Sequence, residues 1–305
     1  MIISITTEAS PSARISAVTE RTSNIGRHLP TSGGLGKTLA RADDLGCETF
    51  QIFVSNPQAW AVPGARGDAE GFEAAVKERG LYPTVAHAKY LINLASPKAD
   101  LRERSIEALA AELSAAGELG LDLVVVHSGS HGGDGAGRGM GRLVEGLERA
   151  RELAEASGRA AEPVVENSVG AGTQLCSTFD ALGEVARRAG VRACVDTAHA
   201  FVAGYDLAVA GGPRMVAAEL RAALGDAVAL VHLNDAKNEL GSHRDGHRKV
   251  GEGMIPEASW AELFAALPGV PFVMETPYES FEGDAEELRL VKELAGGLRK
   301  AGGEG

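Results

Sequence analysis

Three observations predict an α/β chain folded as a single parallel (β/α)8 barrel. Eight short apolar runs recur at even spacing, helical stripes fill most intervals between them, and metal-binding side chains stand at the ends of the runs. Strand–helix alternation of this length suits right-handed crossovers that close an eight-stranded sheet, and it favours the barrel over an open doubly wound sheet.

The runs are Asn24–His28, Thr49–Val54, Pro83–His87, Leu123–Ser128, Pro163–Asn167, Arg192–Thr197, Leu230–Asp235 and Pro271–Thr276. Rich in Val, Ile and Phe, they read as strands buried on both faces. Over Leu101–Leu119 a helical stripe passes through Leu109, Leu113, Ala116 and Leu119, with Asp100 as the expected N-cap. Over Arg142–Ala156 the stripe is Leu143, Leu147, Ala150 and Ala154. Residues 24–296 form the expected barrel, 1–23 and 297–305 are expected to be flexible tails, and neither a repeat nor a linker suggests a second domain. The Gly-rich stretch from Gly129 to Gly141 reads as a mobile loop beside the barrel mouth.

A chain of 305 residues, 44% hydrophobic and 24% charged, can bury a large core. No apolar run approaches the ~20 residues of a membrane span, and the first residues lack the order of a secretory signal. Cys47, Cys176 and Cys194 are too scattered for a disulfide framework, so a cytoplasmic protein is expected. The net charge of -12, if spread evenly, argues against nucleic acid as a partner.

The ends of the runs change that reading. His87 closes the third, His127 the fourth, Glu166 the fifth, Asp196 the sixth and Glu275 the eighth, and His232 stands just short of the end of the seventh. A barrel brings these carboxyl ends to one mouth. His199, Asp245 and His247 follow closely downstream, so nine imidazole and carboxylate side chains are expected in one funnel. A single terminal His is as readily a hydrogen-bonded core residue, and a single terminal carboxylate a helix cap. Six strands are hard to explain that way, and clustered anions repel without cations between them. The donor mix suits zinc or another borderline divalent ion, and nine donors exceed one tetrahedral site, implying two or three metals. In an extended chain Asp196 and His199 point to opposite sides and are expected to serve different metals, whereas Asp245 and His247, two apart, face one way.

The segments "HAKYLINLASP" (from His87), "VVHSGSH" (from Val125), "VENSVGAG" (from Val165), "VDTAHAFVAGYDL" (from Val195), "VHLNDAK" (from Val231), "RDGHRKVGEG" (from Arg244) and "MET" (from Met274) resemble the endonuclease IV family of apurinic/apyrimidinic endonucleases, within the xylose isomerase-like TIM barrels. The resemblance runs in order from Asn24 to Glu275. It implies three zinc ions, with manganese an alternative for part of them. His87, His127 and Glu166 would hold the first; Glu166 would bridge to a second held by Asp196, His232 and Glu275; His199, Asp245 and His247 would hold the third.

The resemblance further implies a DNA repair hydrolase that cuts the phosphodiester 5′ to an abasic site by metal-activated hydroxide, oriented by Glu166 or Glu275, with 3′-phosphodiesterase activity beside it. Its partner would be double-stranded DNA with abasic sites or blocked 3′ ends, bound by a monomer. Tyr90 matches a family tyrosine near DNA, and "SNPQAW" (Ser55–Trp60) occupies the place of a penetrating loop, with Gln58 where some members carry arginine. Arg248, flanked by Arg244 and Lys249, borders the DNA backbone in this reading. Three ions would make the mouth cationic while the body stays acidic, which answers the charge objection. His28, His131 and His243 fall outside the implied ligand set.

Two rival enzyme readings and one non-enzymatic reading remain. A sugar isomerase or epimerase of the same barrels would use Glu166, Asp196, His232 and Glu275 but leave the other donors without a purpose. The stretch "TSGGLGKTLA" resembles a phosphate-binding loop, yet Thr31 stands where its first glycine belongs. A DNA lesion binder without cleavage is the third.

Overall fold

Eight parallel strands close into one barrel, and the ligand-type side chains stand at the ends of six of them or in the segments that follow. The computed structural model describes residues 23–64, 67–276 and 280–296; the tails expected at 1–23 and 297–305 lie, apart from Ser23, outside the described residues. The strands are β1 (Ile25–His28), β2 (Thr49–Ile52), β3 (Thr84–His87), β4 (Leu123–His127), β5 (Glu162–Glu166), β6 (Arg192–Asp196) and β7 (Val228–His232). A two-residue pair follows, β8 (Asp235–Ala236) and β9 (His247–Arg248), and then β10 (Phe272–Met274). β1 to β7 and β10 form a closed barrel in which β10 lies between β7 and β1, every pairing parallel.

The helices are α1 (Leu35–Leu45), α2 (Phe72–Arg79), α3 (Ala99–Glu118), α4 (Ala136–Ser157), α5 (Phe179–Ala189), α6 (Thr197–Ala203), α7 (Gly212–Leu224), α8 (Glu257–Ala266) and α9 (Phe281–Gly296). Leu109 and Leu113 of α3, and Leu143 and Leu147 of α4, are fully buried, as their stripes require. No described helix is long and apolar enough to cross a membrane.

Inside the barrel a separate apolar core contains Val85, Leu123, Val125, Val164, Cys194, Leu230 and Val273. Successive strand residues alternate faces, so the residue two places further along continues the inward face. From Val85, Val125, Val164, Cys194, Leu230 and Val273, that step leads to His87, His127, Glu166, Asp196, His232 and Glu275. The apolar fill thus gives way to polar donors at one end of the barrel.

Four expectations are corrected. The seventh run does not continue to Asp235: β7 ends on His232, and Asp235–Ala236 leave the barrel to pair antiparallel with His247–Arg248. β10 stops at Met274, which puts Glu275 one residue past the strand. Asp100 is not the N-cap of α3: Lys98 holds that position without a side-chain bond, and Asp100 sits in the first turn, where its charge still favours the helix dipole. The Gly-rich stretch is a loop only up to Gly135, because Ala136 onward already forms α4.

Candidate metal centre

The donor atoms at the barrel mouth fall into three groups, each within 4.8 Å of one another: His87, His127 and Glu166; Glu166, Asp196, His232 and Glu275; and Asp196, His199 and His247. Glu166 is common to the first two and Asp196 to the last two. Asp245 lies at the outer edge, its side chain 64% exposed, with Oδ1 3.4 Å from His199 Nε2 and 3.5 Å from His247 Nε2.

Asp196 and His199 are close enough to share a group, while Asp196 also belongs to the group of Glu166, His232 and Glu275, where it was expected. The chain is not extended there. Asp196 ends β6 and caps α6, its Oδ1 accepting from the His199 backbone N–H at 2.8 Å, and one helical turn returns His199 to the same side. The loop carrying Asp245 and His247 is drawn inward by Asp235, whose carboxylate accepts from the backbone of Gly251 (3.0 Å), Gly253 (2.9 Å) and Ile255 (3.0 Å). A Cβ at Gly253 would lie 2.3 Å from Asp235 Oδ1, so the clamp needs glycine at that point.

Hydrogen bonds fix which ring nitrogen faces the centre. His87 Nδ1 donates to the Ala88 carbonyl at 2.7 Å and His199 Nδ1 to the Asn167 carbonyl at 3.0 Å, leaving each Nε2 directed at carboxylate oxygen. Gln51 orients His232: its amide N–H donates to Glu275 Oε1 at 2.5 Å, so its Oε1 accepts from His232 Nε2 at 2.9 Å. His232 Nδ1 then faces Glu166 Oε1 at 3.2 Å and Glu275 Oε2 at 3.1 Å. His87 Nε2 and His127 Nε2 both lie 3.5 Å from Glu166 Oε2, a buried oxygen without a hydrogen-bond partner among the described residues. His247 Nε2 is likewise buried and unbonded, 3.6 Å from Asp196 Oδ2.

Lone pairs aimed at carboxylates require protons or cations between them, and the electrostatics of the centre make the same demand. Burial alone would push the Glu166 carboxyl up, yet the His232 and His127 imidazoles hold it well below the usual carboxylate range. Burial likewise opposes charge on Glu275, and His232 and His87 reverse it. Burial disfavours a charged His199, but Asp196 and Asp245 raise it to about 10. His232 is also raised well above its ordinary value against burial, by the Glu275 and Glu166 carboxylates beside it.

The donor set fits divalent ions. A tetrahedral ion with bonds of about 2.1 Å holds its donors about 3.4 Å apart, and the facing nitrogen and oxygen atoms here are separated by 3.1 to 3.6 Å.

Three supporting residues were not singled out by the sequence reading. Besides Gln51, the Asn234 amide donates to Asp196 Oδ2 at 2.6 Å while its Oδ1 accepts from Glu275 N at 2.9 Å. Asn167 Oδ1 accepts from Asp196 N at 2.7 Å. Only the polar character of Gln51 within an apolar strand marks it out, and its partners lie on other strands.

Above the donors opens a cleft of about 950 Å³ whose lining includes His28, Phe53, Tyr90, His127, Asp245 and Glu275. Tyr90 is half-exposed, stacked on His127 at 5.8 Å between centroids and edge-on to Phe53 at 5.6 Å. Gln58 and Arg248 are both exposed, Gln58 at the tip of its loop and Arg248 beside His247 in β9. Trp60 is half-buried against the core, with the Arg104 guanidinium 4.4 Å above its ring. His28 belongs to none of the three groups; burial pushes its imidazole down to about 4, and its Nδ1 lies 3.1 Å from Gln51 Nε2. His131 and His243 hold the backbone of Gly135 and Val169.

A family model described as xylose isomerase-like TIM barrel matches residues 39–301. The chain is 38% identical over 285 residues to the "Probable endonuclease 4" of Methanoculleus marisnigri, covering 89% of this chain and 99% of that one. It is 34% identical to the protein of the same name from Halothermothrix orenii, covering 88% and 98%. The crystal structure of endonuclease IV from Thermus thermophilus superposes with a TM-score of 0.80 at 34% identity, covering 91% of this chain and 99% of that one. A D-tagatose 3-epimerase-like protein, at 18% identity and a TM-score of 0.69, shares the fold alone. The chain belongs to the endonuclease IV family of xylose isomerase-like TIM barrels.

Proposed function

We propose that this protein is a metal-dependent DNA endonuclease that cuts the phosphodiester 5′ to abasic sites and trims blocked 3′ ends, acting as a cytoplasmic monomer. The observation that carries the reading is the three contiguous donor groups joined through Glu166 and Asp196. The names of the similar proteins support endonuclease activity.

His87, His127 and Glu166 would hold one ion, Glu166, Asp196, His232 and Glu275 a second, and Asp196, His199 and His247 a third, with Asp245 closing that last site from outside. Zinc suits the donors best, with manganese compatible at the carboxylate-rich positions. Bound ions supply Lewis-acid chemistry, acidifying water towards neutrality and drawing charge from the phosphodiester. Glu275 lies one residue past its strand, held by Gln51 and Asn234, and its carboxylate would orient water at the bound ions. Tyr90 lines the wall against which an extruded abasic sugar would lie, and the exposed Gln58 and Arg248 would meet the DNA from the loops beside it. The acidic body is no obstacle, because the ions concentrate positive charge where the phosphate binds.

Incision of a duplex carrying one abasic analogue, before and after chelation and with Glu275→Gln, tests the reading. Activity without added magnesium, abolished in the variant, is expected; undiminished cutting by Glu275→Gln would refute its role. The quartet Glu166, Asp196, His232 and Glu275 alone suits a sugar isomerase or epimerase. A metal content of one or two ions with no DNA cleavage would support that second reading.

A further inference from the structure

The loop that carries Gln58 and the segment that puts Tyr90 in the cleft lining meet at a buried ion pair outside the metal centre. Lys89, adjacent to Tyr90, is 3% exposed, and Glu112 of α3 is fully buried. Lys89 Nζ lies 2.5 Å from Glu112 Oε1. Ser55, at the root of the Gln58 loop, donates its hydroxyl to the same oxygen at 2.5 Å and also accepts from Lys89 Nζ. The Tyr90 backbone N–H donates to the Pro57 carbonyl at 3.1 Å, so the two loops are bonded to each other as well as to the helix. About two turns earlier on α3, Arg104 covers Trp60, the last residue of the same loop segment.

Desolvating two charges commonly costs more than their attraction returns, and a packed apolar pair would hold loop to helix as well. Apolar contacts lack direction, whereas an ammonium, a carboxylate and a hydroxyl sharing one oxygen fix three segments in a single arrangement. We propose that Lys89 and Glu112 are positioning residues whose ion pair, joined by Ser55, presets the Gln58 and Tyr90 loops as one wall before substrate arrives. The proposal rests on the reading of the cleft as a DNA site.

The double variant Lys89→Met/Glu112→Leu removes both charges together and leaves neither buried unpaired, so the fold is retained. Glu112→Gln, nearly isosteric, carries the same readouts should the double variant fail to fold. Metal content, incision of an abasic duplex and acrylamide quenching of tryptophan are measured on each. The chain has two tryptophans and Trp260 is fully buried, so quenching reports on Trp60.

The expected result is unchanged metal content, kcat held within about twofold, increased Trp60 quenching, and KM raised about tenfold by the ordering of freed side chains on binding. Unchanged KM with unchanged quenching overturns the proposal, as does a fall in kcat with KM unaltered. If the unaltered protein does not cut abasic DNA, the functional reading fails separately; quenching then decides whether the pair presets the wall, and unchanged quenching overturns it.

Discussion

The imidazoles of His87, His199 and His232 each have one nitrogen held by a hydrogen bond and one turned to the other donors, and the holding partner decides which is which. Gln51 shows the dependence most clearly, because one side-chain amide bonds Glu275 through its nitrogen and His232 through its oxygen. Replacing it with Leu frees the His232 ring and leaves Glu275 without that donor. Outer partners of this kind are worth about 10- to 100-fold in metal affinity or activity, and Gln51→Leu is expected to lose that much of both, read by metal analysis and incision rate. Full activity in the variant would show that the tautomer is fixed by other means. The cysteines stand at the opposite extreme. Burial pushes Cys47 up to about 11 and Cys176 and Cys194 up to about 12, so none is a thiolate near neutrality. A disulfide reagent is expected to find no reactive thiol in the native protein and all three after denaturation; prompt native reaction would contradict the burial of these sites.

At the scale of elements, the strands set the heights of the donors and the connections set their directions. The loop from Asp235 to Ile255 shows this, because three backbone N–H groups converge on one carboxylate and deliver His247 to Asp196. In Gly253→Ala the new methyl meets Asp235 Oδ1 at 2.3 Å and the Ala236 carbonyl at 2.5 Å. Overpacking of this kind costs about 1 to 3 kcal/mol; chemical denaturation is expected to show that loss, together with weaker metal binding at the His199 and His247 group, and a variant with full stability and metal content would exclude the clamp. The strand ends bearing His87, His127, Glu166 and Asp196 were legible because each continuous apolar run stops on a metal-binding side chain, and a barrel brings those ends to one edge. The join of Asp196 to His199 was not, since it depends on the strand turning directly into α6. Gln51, Asn167 and Asn234 were hidden because their partners lie on other strands, at contacts that local sequence does not encode.

At the scale of the whole molecule, six strands and the segments after them bring carboxylates and imidazoles into one mouth, where unbalanced charge would cost stability. Without metal, protons serve that balance: Asp196 and Asp245 raise His199 from 6.5 to about 10, and the carboxylates around His232 raise it well above 6.5, so protonation of both is favoured against burial. A raised histidine contributes stability that is complete below its unfolded value near 6.5 and lost as pH climbs through its folded value. The carboxylate contributions of Glu166 and Glu275, depressed from 4.5, are complete above that value and fade only in acid. The stripped protein is therefore expected to weaken between pH 6.5 and about 10. Metal binding runs the other way, because neutral imidazoles are the ligands and deprotonation favours them. Two outcomes follow from this opposition. Titrating divalent zinc into the stripped protein at neutral pH releases protons, detected as a dependence of calorimetric heat on the ionisation enthalpy of the buffer. The gap in Tm between loaded and chelated protein widens as pH rises from 6.5, whereas a gap that narrows over that range would mean that protons and metal do not compete for these histidines.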